Sequence, residues 1–379
     1  MDPQKSRLYF IDNLRWLMII FVVLMHVNVT YSMLGGWYYI EKAKLDLFQN
    51  IYFGIYGSFT QAYFMGFLFF IAGYFVPASY DRKGFGQFVK ERLIRLGIPT
   101  LLFMLLIHPV TIAILNHYLN WNMNMTDWYG KYIGTLDFLG STGPLWFALA
   151  LLIFAIVYAL IRKFLNPVSF SNTTIKIANK HIAGIGILIS VLTFLMRIPF
   201  PIGTNIMNMQ LCFFSQYIVL FILGIYFFRK NLLLTLDYRQ GMNWFRYTLI
   251  FGILFWLGMI VLGDSAHKGL EPFVGHLTLG NAAYSLWESF FCVGVCVGLI
   301  VWFREKFNAQ GKTAKFLSDN AFGVYVFHTP ILVLISMLMK DVTLYPFLKY
   351  AIVAVITIPA CFLTSALLRK IPGVAYIIK

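Results

Sequence analysis

Long apolar stretches of helical length, separated by short polar loops, run through almost the whole chain. Apolar residues make up 60% of the 379 residues and charged residues only 12%, against about 45–50% and about 25% in soluble domains. A soluble fold of this size could not bury so much apolar surface. Because a bilayer core about 30 Å thick needs about 20 apolar residues per helix, the sequence predicts a helical protein embedded in membrane lipid.

Ten segments are apolar over the length of a membrane-spanning helix. They are 10–32, 52–77, 96–117, 143–161, 182–199, 209–228, 247–263, 280–303, 320–339 and 346–368. No tandem repeat and no strand pattern accompanies them. The predicted fold class is therefore all-α: a polytopic transmembrane helix bundle of about ten spans, forming a single integral-membrane domain over residues 1–379. No motif indicates an oligomeric state.

The basic residues are unevenly divided between the two sides of this predicted bundle. The 30 Lys and Arg residues give a net charge of +15, and they lie in short clusters between the apolar stretches. Of these residues, 23 fall on the side of the two termini and 7 on the other side. Since cytoplasmic loops carry such an excess, we predict that both termini are cytoplasmic and that no nucleic acid partner is involved.

An arginine and a histidine share one face of the first predicted helix. Arg15 and His26 are eleven residues apart, which is three helical turns plus about 20° and about 16 Å along the axis. Asp12 precedes Arg15 by three residues and can pair with it. Buried ionisable groups usually mark a functional path. The alternatives are that Arg15 is an interfacial anchor and that His26 is a hydrogen-bonding residue between helices.

Two further histidines precede prolines inside predicted spans. His328 is followed by Thr329 and Pro330, and the proline removes a backbone hydrogen bond and opens the local helix. A polar cavity is plausible there, with a buried structural histidine as the alternative. His108 precedes Pro109 in the same way but lies nearer the end of its span.

Glu288 and Trp146 complete the set of candidate residues. Glu288 is the only acidic residue deep in a predicted span, so it must be protonated or paired with a cation or a histidine. Either state suits a proton relay. Trp146 follows Gly143 and Pro144 at the start of a predicted helix, where it could line an acceptor site or anchor the helix at the interface.

Five short motifs follow one another along the chain. They are Asp12-Asn-Leu-Arg-Trp with His26, Phe67-Leu-Phe-Phe-Ile-Ala-Gly-Tyr-Phe75, Arg92-Leu-Ile-Arg95-Leu-Gly-Ile-Pro99, Gly143-Pro-Leu-Trp146-Phe147 and Tyr325-Val-Phe-His328-Thr-Pro330. In this order, and over nearly the whole chain, they resemble the acyltransferase-3 family, and within it the glucan biosynthesis protein C branch.

The resemblance implies a membrane-embedded O-acyltransferase of the inner membrane. The family's arginine, ten intervening residues and histidine map onto Arg15 and His26. Such an enzyme takes an acyl group from cytoplasmic acyl-CoA, a donor co-substrate that needs no metal. It passes the group to a hydroxyl of an extracytoplasmic or membrane-associated acceptor, often a glycan of the cell envelope. An acetyl or succinyl group is implied at the family level.

These implications assign roles to the candidate residues. His26 is the expected general base on the acceptor hydroxyl, and Arg15, Glu288 and His328 are the other expected catalytic residues. The expected donor site is formed by Arg92 and Arg95 together with Arg15, since guanidinium groups bind phosphates by charge-assisted hydrogen bonds. Plain topology signalling is the alternative for this basic loop. Asp12 and Trp146 are the expected substrate-binding residues.

A proton-coupled transporter or flippase of a lipid-linked or anionic solute is the alternative function. In it, His26, Glu288 and His328 would form a proton path. The sequence lacks an obvious inverted repeat or a matched pair of Gly- or Pro-broken helices, which transporters often have. It also lacks a P-loop, an HExxH or a GxSxG motif, and its dispersed carboxylates form no recognisable metal site.

Overall fold

The structure, a computed structural model, describes residues 7–165, 176–263 and 269–378. These ranges are mainly helical and contain no β-strand, only an isolated bridge between Ile206 and Met209. The predicted all-α class is therefore confirmed.

Thirteen α-helices follow one another in the described ranges. They are α1 (Tyr9–Ser32), α2 (Leu47–Arg92), α3 (Ile98–Leu102), α4 (His108–Tyr118), α5 (Met125–Gly134), α6 (Trp146–Phe164), α7 (Asn179–Met196), α8 (Phe214–Arg229), α9 (Tyr238–Leu262), α10 (Leu279–Lys306), α11 (Lys312–Leu338), α12 (Pro346–Leu368) and α13 (Pro372–Ile377). Among the residues described, nine stretches are long and apolar enough to cross a membrane. The chain is thus a polytopic helix bundle.

One of the nine stretches contains two of the predicted spans. Leu47–Tyr118 is helical over 72 residues, which at 1.5 Å per residue is on the order of 100 Å, about three bilayer cores. Gly84 interrupts it with a non-helical backbone (φ 71°, ψ 175°) that a glycine adopts readily. The nine stretches therefore accommodate the ten predicted spans. The cytoplasmic placement of the termini stays a prediction.

Two π-helical turns interrupt the second half of this long stretch. Leu93–Gly97 comes just before Pro99, and Phe103–Ile107 comes just before Pro109. A proline has no N–H and its ring displaces the carbonyl four residues earlier, so the preceding turn widens. π-Turns are frequent at functional sites, and the first of these carries Arg95.

Helices α2 and α8 cross with their backbones in close contact. A Cβ atom at Gly73 would lie 2.1 Å from the carbonyl oxygen of Phe221, and one at Gly224 would lie 2.2 Å from that of Phe70. Small residues allow such approaches between membrane helices. Gly73 belongs to the aromatic motif that ends at Phe75. This motif therefore forms the point at which α2 crosses α8.

Residues 33–46, named the strap here, connect α1 to α2 on the face opposite the termini. Lys349 of α12 is only 2% exposed and forms a 2.8 Å ion pair with Glu41 of the strap. The Tyr345 hydroxyl donates a 2.6 Å hydrogen bond to Asp46. This hydrogen bond, with one from a backbone amide, lowers the pKa of the Asp46 carboxyl. The strap is thus fixed to the start of α12 at two points.

Candidate functional site

Two of the predicted site residues meet inside the bundle. Nε2 of His328 on α11 lies 3.3 Å from Nδ1 of His26 on α1, and the ring centroids are 4.9 Å apart. His328 is 0% exposed and His26 is half-buried. Arg15 and His26 share the single unbroken helix that the sequence predicted. The structure adds that His26 is paired with His328.

Backbone carbonyls define the proton positions in this pair. Nδ1 of His26 lies 2.8 Å from the carbonyl oxygen of Val22, and Nδ1 of His328 lies 2.8 Å from that of Tyr325. A carbonyl oxygen only accepts hydrogen bonds, so in the neutral rings both Nδ1 atoms carry the proton. The single Nδ1–H of His26 is then shared in a three-centre hydrogen bond, with the carbonyl oxygen of Val22 at 2.8 Å and Nε2 of His328 at 3.3 Å. Nε2 of His26 keeps a lone pair and has no hydrogen bond from the residues described.

His26 lines a cavity of about 850 Å³. The cavity extends from the histidine to the loops on the face opposite the termini, including the strap. Its lining includes four tryptophan rings and several side-chain amides, among them Trp37, Trp121, Trp146, Trp256, Asn28, Gln61, Asn205 and Asn208. Within the described ranges, its lining includes no Asp, Glu, Lys or Arg. The cavity is therefore suited to an uncharged polar ligand.

The strap places two aromatic residues in this cavity. The Trp37 ring lies 3.9 Å from that of His26 at an angle of 35°. The next residue, Tyr38, has its hydroxyl 2.7 Å from Nδ1 of His108. Sequence reasoning selected neither strap residue. The only signal was the sequence Gly35-Gly-Trp-Tyr-Tyr in a short predicted loop.

Two motifs of the sequence meet at the wall of the cavity. Trp146 begins α6, lines the cavity and stacks on Tyr217 with centroids 5.9 Å apart. The Tyr325 hydroxyl donates a hydrogen bond to the carbonyl of Pro144. The motif that contains His328 is thus joined directly to the one that contains Trp146.

Asp12 and Arg15 lie at the opposite end of α1 from the cavity. The Asp12 carboxylate accepts a 2.8 Å hydrogen bond from Arg7 and forms a 3.3 Å ion pair with Arg15. The predicted pairing of Asp12 with Arg15 is therefore present. Asp12 is far from the lining residues, and its expected role in substrate binding stays a prediction.

Arg92 and Arg95 lie on the same side of the molecule as Arg15. Arg95 is exposed and repels the guanidinium groups of both Arg15 and Arg92 electrostatically. Arg92 is half-buried, with its guanidinium 4.9 Å from the ring centroid of Phe88. The three predicted donor-site arginines thus form one cationic cluster.

Arg15 and His26 share a helix face, but among the described residues the cavity that His26 lines does not extend to Arg15. Along α1, Val22 is the lining residue nearest to Arg15. Arg15 and Val22 are seven positions apart, which is about 10 Å along the helix axis. Met18 and Ile19, which lie in this interval, are buried in the core.

Glu288 forms a buried ion pair with Arg197, not with the histidines. The closest approach is 2.5 Å, and the two side chains are 2% and 0% exposed. The Arg197 guanidinium also lies between the rings of Phe213 and Tyr284, 5.2 Å from each centroid. Of the alternatives predicted for Glu288, pairing with a cation is therefore the one observed. Arg197 was missed because 91 positions separate it from Glu288.

A metal site is not formed by the residues that the structure describes. No three His, Cys, Asp or Glu side chains among them come close enough to share an ion.

In the part of the chain that the structure describes, nine helical stretches are long enough to cross a membrane, and a histidine pair and a deep cavity lie among them. These features define a polytopic membrane protein with an internal site. The acyltransferase-3 family profile, described as an acyltransferase domain, matches residues 8–366. The chain belongs to this family and is a membrane acyltransferase. No curated protein and no solved structure matches it. The glucan biosynthesis protein C branch stays a prediction.

Proposed function

We propose that the protein transfers an acyl group from acyl-CoA to a hydroxyl of a glycan, with His26 as the general base. The histidine pair is the observation that supports this proposal. Nε2 of His26 carries a lone pair, and His26 lines the cavity in which an acceptor would bind. A positioned imidazole is the commonest general base in proteins.

The proposed reaction proceeds through a tetrahedral intermediate. Nε2 of His26 takes the proton of the acceptor hydroxyl while that oxygen attacks the thioester carbonyl carbon. A C–O bond forms, the C–S bond breaks, and the CoA thiolate leaves with the proton from the imidazolium. The carbonyl oxygen of Val22 accepts a 2.8 Å hydrogen bond from Nδ1–H of His26. It therefore holds the tautomer of His26 that leaves Nε2 free to act as the base, as a triad's third member does, while His328 packs against the same ring.

The cavity supports a glycan as the acceptor. Ring faces such as those of Trp37 and Trp146 can cover the C–H faces of a sugar, and amides such as Gln61 and Asn208 can bind its hydroxyls. The cavity reaches the loops on the face opposite the termini. With both termini in the cytoplasm, an extracytoplasmic glycan has access to it.

Acyl-CoA is the proposed donor, and it arrives from the other side. The cluster of Arg15, Arg92 and Arg95 lies on the side of the termini and can bind the CoA phosphates by charge-assisted hydrogen bonds. The packed interval between Arg15 and Val22 must then open to admit the thioester. Acetyl and succinyl groups are the proposed acyl groups, and the inner membrane is the proposed location.

A transfer assay tests this function. The full-length protein in lipid nanodiscs is incubated with radiolabelled acetyl-CoA or succinyl-CoA and β-glucan oligosaccharides. We expect a labelled ester on the glucan that mild alkali releases. In proteoliposomes, pH-dependent movement of glucan without ester formation would instead support the transporter. Family membership already favours the acyltransferase.

The donor site is tested with Arg92→Gln and Arg95→Gln. Hydrogen bonds to charged groups contribute about 1.5–3 kcal/mol, so each variant should raise the KM for acyl-CoA at least about tenfold. The kcat should change little, because the phosphates are remote from the reacting carbon. Lys312→Gln is the control, since Lys312 is an exposed cation on the same side. Unchanged KM values in both arginine variants would contradict the donor site.

A further inference from the structure

A second polar pair, Tyr38 and His108, lines the same cavity as His26. The Tyr38 hydroxyl and Nδ1 of His108 are 2.7 Å apart, a short and well-formed hydrogen-bond distance. Tyr38 belongs to the strap and His108 begins α4. The cavity is thus lined both by His26 and by the Tyr38–His108 pair. The proposed reaction uses only His26.

The strap brings this second pair close to His26. The Trp37 ring centroid lies 3.9 Å from that of His26 and 5.2 Å from that of Tyr38. The His26 and Tyr38 rings can therefore be no farther apart than the sum of these two distances. Both residues line the same cavity, so a ligand bound there can contact both.

A glycine leaves room beside the Tyr38 hydroxyl. Gly143 adopts a positive φ of 50°, and a Cβ atom there would lie 3.1 Å from the Tyr38 oxygen and 2.6 Å from the Phe103 ring. Its own N–H donates a 3.0 Å hydrogen bond to Asn208. Because any side chain at Gly143 would crowd this oxygen, the glycine keeps the hydroxyl accessible from the cavity.

The Tyr38 hydroxyl is suited to donate a hydrogen bond. Burial raises the pKa of this phenol well above its usual range, so it remains protonated at physiological pH. A hydroxyl can accept and donate at the same time. When Nδ1 of His108 carries a proton, it donates to the Tyr38 oxygen. The phenolic hydrogen is then directed to a ligand instead of to the histidine.

We propose that Tyr38 is a catalytic residue that donates a hydrogen bond to the oxyanion of the tetrahedral intermediate, and that His108 is the positioning residue that orients it. This inference rests on the proposed acyl transfer. The carbonyl oxygen gains its negative charge when the acceptor oxygen attacks and loses it when the C–S bond breaks. Tyr38 keeps its proton throughout, so His26 alone carries the transferred proton.

The principal test compares Tyr38→Phe with a variant from the same strap. Loss of one oxyanion donor typically lowers kcat about 10²-fold or more, and Tyr38→Phe should show this loss. The KM for the β-glucan oligosaccharide should remain within about twofold, because the hydrogen bond forms only in the transition state. Tyr39→Phe is the control with wild-type activity expected, since the Tyr39 ring does not line the cavity.

His108 variants test the positioning role. His108→Gln retains an N–H donor for the Tyr38 oxygen and should keep more activity than His108→Phe. The double variant Tyr38→Phe/His108→Phe should be about as slow as Tyr38→Phe alone, because two residues that act as one unit are not additive. Multiplicative losses in the double variant would overturn the positioning role.

Two further outcomes separate this inference from the function on which it rests. If His26→Ala is inactive while Tyr38→Phe retains the wild-type kcat, Tyr38 is not the oxyanion donor, although the acyl-transfer proposal stands. A Tyr38→Phe variant with a lower Tm but normal kcat for the folded protein would show a purely structural hydrogen bond. If no variant and no wild-type sample transfers an acyl group from either donor, the proposed function itself fails.

Discussion

His26→Ala is expected to abolish acyl transfer while the protein still accumulates in the membrane. General-base catalysis contributes about 10²–10⁴-fold to a rate, and no other described residue of the cavity has an imidazole oriented by a second one. A fall in kcat of about 10²- to 10⁴-fold should therefore follow. Half-buried His26 lies at the cavity wall, so its loss leaves the helix packing largely intact.

Steady-state transfer of label from acetyl-CoA or succinyl-CoA measures this effect, with membrane accumulation measured by immunoblot. His117→Ala is the matched control, because His117 is exposed on α4 and lies outside the cavity. It should behave like the wild type. Undiminished transfer by His26→Ala would remove this histidine from the mechanism.

The structural features that could be predicted from the sequence are those that depend on a single helix. The stripe that joins Arg15 to His26, and the pairing of Asp12 with Arg15, follow from the helical period, and both are present in α1. The number of spans followed from apolar length in the same way. These features could be derived because neighbouring turns of one helix determine them.

The contacts of His26 could not be derived from the sequence. His328 lies 302 positions away, and no periodicity relates the two histidines. Trp37 reaches His26 because the strap is tied to α12 through Glu41 and Lys349. The path of such a connection depends on packing among several helices. A loop with two glycines indicates a turn but does not specify which helix the next tryptophan contacts.

The end of this cavity at Val22, short of Arg15, has the same cause. A helical stripe specifies which side chains share a face, but the neighbouring helices decide which part of that face is packed. Met18 and Ile19 are covered by other helices, whereas Val22 and His26 border the cavity. One face of α1 is therefore core near Arg15 and cavity wall near His26.

Removing either partner of the Arg197–Glu288 ion pair is expected to destabilise the protein strongly. Both side chains are buried, and loss of one partner leaves an uncompensated charge at a cost of about 3–5 kcal/mol. Arg197→Met and Glu288→Gln should each lower the Tm markedly. Thermal unfolding of the purified protein in detergent, followed by tryptophan fluorescence, measures the effect.

The double variant Arg197→Met/Glu288→Gln separates the ion pair from ordinary packing. With both charges removed, no buried charge is left without a partner, so the double variant should be more stable than either single variant. Equal or greater destabilisation in the double variant would show that side-chain shape, and not charge pairing, dominates at this position. Wild-type stability in both single variants would contradict the predicted cost.

The same variants test the predicted role of Glu288 as a proton relay. A proton relay requires Glu288 to exchange protons with the site, so Glu288→Gln would change the pH profile of kcat. An ion pair that only holds Arg197 between Phe213 and Tyr284 contributes to stability instead. It exchanges no proton with the site, although both rings form part of the cavity wall. We therefore expect Glu288→Gln to lower the Tm and leave the pH profile of the folded fraction unchanged. A shifted profile at unchanged Tm would support the predicted catalytic role of Glu288.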